Sequence, residues 1–150
     1  MKHLLNILAI ISALLVGCED PYFANLHSEE GTETYQFDMS AVYLYTDSNG
    51  YFHMTLDPSS VQTLTRLVAY TNNPDIQKVM WDADAYWVYN GEDIPLVNSD
   101  SYSDRPSGEA YTMFAPIYSM LGDTIRVYSW YYDEHNGNAY YIDYIDIVLD

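Results

Sequence analysis

Cysteine is almost absent from this chain: its 150 residues contain one, Cys18. A lone cysteine excludes an internal disulfide and any paired-cysteine metal pattern, so stability has to come from an apolar core. Basic residues are nearly as scarce, five Lys and Arg against 22 Asp and Glu, for a formal net charge of −17. A surface of that sign repels nucleic acid and anionic lipid headgroups, and favours cations or basic partners. Catalytic signatures are missing too. There is no Gly-x-Ser-x-Gly and no His-Glu-x-x-His, and His27, His53 and His135 stand isolated in sequence, so the expectation is a non-catalytic protein. No helical segment of useful length and no internal repeat is visible. One apolar run exceeds strand length, residues 4–16. A membrane span needs about 20 such residues, so this run is too short for one.

What is present at the start of the chain has a secretory pattern. Lys2 supplies the positive end, residues 4–16 the apolar stretch, and Ala13 and Gly17 the small residues near a cleavage point. The motif Leu15-Val16-Gly17-Cys18 resembles the lipobox of bacterial lipoproteins. The resemblance implies that residues 1–17 are removed, that Cys18 is lipidated, and that the protein is held to the cell envelope, with the outer membrane expected. At about 0.8 kcal/mol per buried CH₂, two or three acyl chains on one residue give stable anchoring where one does not. Cutting before Cys18 leaves 133 of the 150 residues. It removes Lys2 and no acidic residue, so four basic residues face 22 acidic ones and the formal charge becomes −18. Residues 18–33 have the polar composition of a tether. Glu19-Asp20 is compatible with the acidic surface-export signal of some lipoproteins, and equally with a solvated linker.

From residue 34 the period is two. Tyr35, Phe37, Met39, Ala41, Tyr43 and Tyr45 share one face of a predicted strand, and Asp47-Ser48-Asn49-Gly50 marks a hairpin before residues 51–56. A two-residue Asn49-Gly50 turn would set Tyr45 opposite Met54 and Tyr43 opposite Leu56. Residues 61–71 fit a helical stripe through Val61, Leu64, Leu67 and Val68, but Thr and Val content and the following Asn72-Asn73-Pro74-Asp75 turn favour a strand. In residues 76–84, Val79, Trp81 and Ala83 alternate with Met80, Asp82 and Asp84, and Trp81 is the expected centre of the core. Asn90-Gly91 separates residues 86–89 from 94–97, where Pro95 indicates an edge. Residues 98–108 read as a long polar loop, 109–115 as a strand, and 116–121 as irregular or one helical turn. A final pair, 124–132 and 139–149, closes the chain.

About eight strands between Gly and Asn turns predict an all-β, antiparallel β-sandwich over residues 34–150. Leu67-Val68-Ala69-Tyr70, the Asn-Pro turn, Lys78-Val79-Met80-Trp81 and Asp123-Thr124-Ile125-Arg126-Val127 resemble a bacterial immunoglobulin-like or PKD-like domain spanning residues 60–150. The resemblance implies that Trp81 is the core tryptophan of the third strand. The sheet-bridging cysteines of antibody domains are absent, and domains of this type serve as spacers, adhesion modules and binding modules alike.

The last hairpin carries the most local information. A three-residue His135-Asn136-Gly137 loop places Arg126 opposite Asp146, Tyr128 opposite Tyr144, Trp130 opposite Ile142 and Tyr132 opposite Tyr140. Ile125, Val127, Ile145 and Ile147 then form a core face. Tyr128, Trp130, Tyr132, Tyr140 and Tyr144 form an aromatic platform suited to a protein partner or a sugar ring. Two other readings stand beside it: the 34–56 hairpin covers the stripe, or the faces are reversed, as Ser129 opposite Asp143 on the proposed core face would suggest. Asp82 and Asp84 share a strand face close to further acidic loop residues. They are the candidate ligands for Ca²⁺, which takes six to eight oxygens, although no EF-hand loop is present. The function expected is a lipid-anchored binding or scaffolding module for another envelope or extracellular protein. The alternative is a surface carbohydrate-binding module aided by calcium.

Overall fold

The computed structural model describes residues 35–104, 107–132 and 137–150. The expected signal peptide, Cys18, the tether, and His135 and Asn136 of the last loop lie outside the described residues. The strands are β1 (Phe37–Ala41), β2 (Tyr45–Thr46), β3 (Phe52–Met54), β4 (Thr65–Thr71), β5 (Lys78–Ala83), β6 (Tyr86–Tyr89), β7 (Glu92–Pro95), β8 (Asp100–Tyr102), β9 (Glu109–Phe114), β10 (Thr124–Tyr132) and β11 (Ala139–Leu149), with a 3₁₀ turn at Tyr118–Met120. They form a three-stranded sheet in the order β1-β4-β9, a six-stranded sheet in the order β2-β3-β11-β10-β5-β8, and a separate β6-β7 pair. Every pairing is antiparallel except that of β3 with β11.

Period-two alternation sets which face of each sheet is apolar, and the two apolar faces meet. Leu67 and Ala69 of β4 and Ala110 and Phe114 of β9 join one buried cluster with Val79 and Trp81 of β5, Ile125 and Val127 of β10, and Ile145, Ile147 and Leu149 of β11. Each fully buried aliphatic or aromatic side chain of this kind stabilises the fold by roughly 1.5–3 kcal/mol. Trp81 lies in this core as expected, and its indole N–H donates to Ser101 Oγ at 2.8 Å. The buried ring is thereby satisfied and β5 is tied to β8. Residues 65–71 form the strand favoured over the helix. Val61 and Leu64, which the helical stripe would bury, are both more than 60% exposed.

Four local expectations are corrected. Residues 98–108 are not loop throughout, because β8 pairs with β5, Lys78 facing Tyr102 and Met80 facing Asp100. A strand made of Asp, Ser and Tyr has no apolar period to announce it. It forms because β5 offers it an open edge and the Trp81 indole needs an acceptor. The strand expected over residues 34–45 is broken. Tyr43 takes a left-handed backbone with φ 64°, β1 joins β4 in one sheet, and β2 joins β3 in the other. The register of the first hairpin moves by one, Tyr45 facing His53 and Thr46 facing Phe52. Its loop has three residues rather than two: Asp47 N–H donates to the Tyr51 carbonyl, and Gly50 occupies the left-handed position at φ 89°. The Asp47 carboxylate accepts the N–H groups of Asn49 and Tyr51, which stabilises that loop.

The fourth correction is in the last hairpin. Arg126 faces Asp146, Tyr128 faces Tyr144 and Ser129 faces Asp143, but the register then shifts, so that Trp130 faces Tyr141 and Tyr132 faces Ala139. Ile142 is the extra residue of this bulge and is buried. Burial of that isoleucine is the physical reason for the slip, and the bulge increases the local twist of the strand.

Candidate binding surface

The outer face of the six-stranded sheet is built where β5, β10 and β11 run side by side. Alternation along β10 turns Ile125, Val127 and Ser129 inward and Arg126, Tyr128, Trp130 and Tyr132 outward. The aromatic side of the hairpin is therefore not the core, although Ser129 is indeed fully buried. Among the described residues its Oγ has no hydrogen-bond partner. Such an orphan costs about 1–3 kcal/mol. Opposite it, Asp143 accepts the backbone N–H of Met39 in β1, and burial raises its carboxyl above the usual range.

On the outer face, the Arg126 guanidinium makes two parallel bonds to Asp146, Nε to Oδ1 at 2.8 Å and a terminal nitrogen to Oδ2 at 3.0 Å. The same group lies 4.0 Å from the centre of the Tyr144 ring. A planar cation held from two directions is fixed in orientation. Tyr128 and Trp130 follow at 5.9 Å between ring centres, and Tyr141 and Tyr144 at 6.3 Å. These neighbouring rings are tilted by 32° and 35°, so the surface is ridged rather than flat. Burial, and then the nearby Asp82, push the Tyr128 hydroxyl up from its ordinary value; burial first, and then Asp143, do the same for Tyr141. Both phenols stay protonated donors in any physiological medium.

The bulge redistributes the expected site residues. Tyr128, Trp130, Tyr132 and Tyr144 come together on the outer face. Tyr140 is turned the other way and stacks on Tyr131 at 5.3 Å, against the core. Tyr141 takes a place beside Tyr144 that the unbulged register had denied it. Arg126 also belongs to the surface; its pairing with Asp146 was legible, its position over Tyr144 was not. Tyr132 and Tyr144 remain 55% and 43% exposed, and among the described residues the 34–56 segment does not cover them. β1 belongs to the opposite sheet, and β2 and β3 extend the same sheet beyond β11.

Asp82 and Asp84 border this surface. Asp82 faces Tyr128 across the β5-β10 pairing, and its Oδ1 accepts the N–H of Ala83; Asp84 Oδ1 accepts the N–H of Arg126 at 2.9 Å. Among the described residues, no group of three or more His, Cys, Asp or Glu side chains is arranged to hold a metal ion. A scan against protein-family models matches none, and no curated protein matches the chain.

Proposed function

We propose that this chain is a lipid-anchored envelope protein whose folded part is a non-catalytic binding module of immunoglobulin-like architecture. In this reading the module contacts another envelope or extracellular protein through the outer face of β5, β10 and β11. The architectural part draws support from strand order: β1-β4-β9 against β11-β10-β5-β8, with β3 returning parallel to the last strand, is a Greek-key arrangement of two sheets. The anchor rests on Cys18 and its lipobox resemblance. The observation that carries the functional reading is an aromatic face left half-open: Tyr132 and Tyr144 are exposed beside Tyr128, Trp130 and a guanidinium fixed by Asp146. Tyr, Trp and Arg are the side chains most enriched where interfaces hold their energy.

Photo-crosslinking in cells tests this. A benzoyl-phenylalanine placed at Tyr132 or Tyr144 is expected to give a discrete protein adduct that the same group at Ser59, in the exposed turn after β3, does not give. Adducts of equal yield from all three positions, or none from either tyrosine, would overturn the reading. The anchor has its own readout: labelled palmitate incorporates into the natural chain and not into Cys18→Ala.

A further inference from the structure

A second feature lies apart from the aromatic face, where the chain leaves β1 and crosses to β2. There Tyr43 adopts φ 64°, a backbone that glycine enters freely and a tyrosine does not. Its side chain is 99% exposed, so no packing explains the choice of residue. Beneath it a groove of about 480 Å³ is lined by Val42, Leu44, Leu64, Met113 and Arg66, together with three threonines. Leu64 and Met113 are themselves exposed at its rim. Of the Lys and Arg side chains among the described residues, Lys78 pairs with Asp100 and Arg126 with Asp146. Arg66 pairs with no carboxylate among the described residues and lies over the Tyr111 ring, 4.9 Å from its centre. A guanidinium with no carboxylate partner among the described residues, at the edge of a groove with apolar side chains in its wall, is complementary to an incoming anion.

From this geometry we infer that the groove is a docking site for a protein segment carrying apolar side chains next to a carboxylate. The apolar side chains lie against Val42, Leu44, Leu64 and Met113, with Tyr43 closing over them, and the carboxylate pairs with Arg66. A strained, fully exposed aromatic at the rim is the arrangement expected of a residue kept for contact at the expense of the fold.

The test uses the full chain in phosphatidylcholine nanodiscs and a dye-labelled Leu-Phe-Asp-Leu-Glu peptide, read by fluorescence anisotropy. The acidic peptide is expected to bind, and its Asn and Gln analogue to bind about tenfold more weakly, as loss of a charge-assisted pair implies. Arg66→Gln brings the acidic peptide to the level of the analogue, whereas Lys78→Gln leaves its affinity unchanged. Tyr43→Gly weakens binding about fivefold while the melting temperature stays level or rises, a combination that a structural residue would not give. The inference is overturned by equal binding of the two peptides, by an Arg66→Gln effect matched by Lys78→Gln, by unchanged affinity in Tyr43→Gly, or by absence of binding at millimolar peptide. Displacement of the peptide by an equal concentration of decanoate would also overturn it, in favour of a small amphiphile.

Discussion

Two hairpins of this chain have nearly the same composition and opposite fates. β6 and β7 carry Tyr86, Trp87, Val88 and Tyr89 around an Asn90-Gly91 turn, both turn residues at positive φ, and among the described residues they pair only with each other. β10 and β11 carry a similar share of aromatics, but β5 flanks them on one side and β3 on the other. In the short hairpin Tyr86, Val88 and Tyr89 are all more than half exposed. In the long one every second residue of β10 from Ile125 to Tyr131 is buried. Neighbouring strands, rather than aromatic content, decide whether such a ring is core or surface. The β6-β7 ribbon, with no strand paired on either side, leans on the core through Trp87 and draws the rest of its order from turn chemistry.

The comparison predicts its largest contrast in truncations. Ile147→Ala, in β11, should lose about 2–5 kcal/mol in urea unfolding, while Val88→Ala in β6 should stay within about 0.5 kcal/mol. Similar losses at the two sites would erase the distinction between them. A smaller effect of opposite sign is expected at Ser129. Embedding the long hairpin has left that hydroxyl buried and unpaired, so Ser129→Ala should stabilise the fold by about 1 kcal/mol. A destabilised variant would mean that the hydroxyl has a partner after all.

The smallest contrast concerns pH, at β3, a flanking strand of the kind the short hairpin lacks. His53 Nδ1 lies 2.7 Å from Asp150 and Nε2 lies 3.5 Å from Asp47, with the Tyr45 ring 5.7 Å away. The hydrogen bond to Asp150, and then the neighbouring Asp47, raise the imidazole above its usual 6.5 despite some opposing desolvation. A raised folded value means that the stabilisation is complete below 6.5 and is lost as pH climbs through the folded value. The melting temperature should therefore drop slightly across that window, and His53→Gln should flatten the drop. An unchanged slope in the variant would assign it to other groups.

Much of the fold was legible in the sequence because it is written in period two and in turn residues. The β10-β11 core face, the β4 and β5 strands, the Asn90-Gly91 turn and the central Trp81 all followed from those signals. The parts that were not legible depend on residues far away in the chain. β8 has no apolar period and exists because β5 presents an edge and Trp81 a donor. Tyr43 continues the alternation that Phe37, Met39 and Ala41 begin, so nothing local marks the point where the chain changes sheets. The slip at Ile142 exchanges Tyr140 for Tyr141 on the outer face, and only the need to bury that isoleucine explains it. The candidate surface was accordingly legible in outline, with Tyr128, Trp130, Tyr132 and Tyr144, and one residue off at its edge.

The most direct test of the central claim is urea unfolding of the Tyr132→Ser/Tyr144→Ser double variant alongside its crosslinking in cells from a benzoyl-phenylalanine at Trp130. An exposed binding face predicts a stability loss below about 1.5 kcal/mol and disappearance of the protein adduct. A loss of about 3 kcal/mol or more, or an adduct of undiminished yield, would contradict it and make these rings part of the structural core.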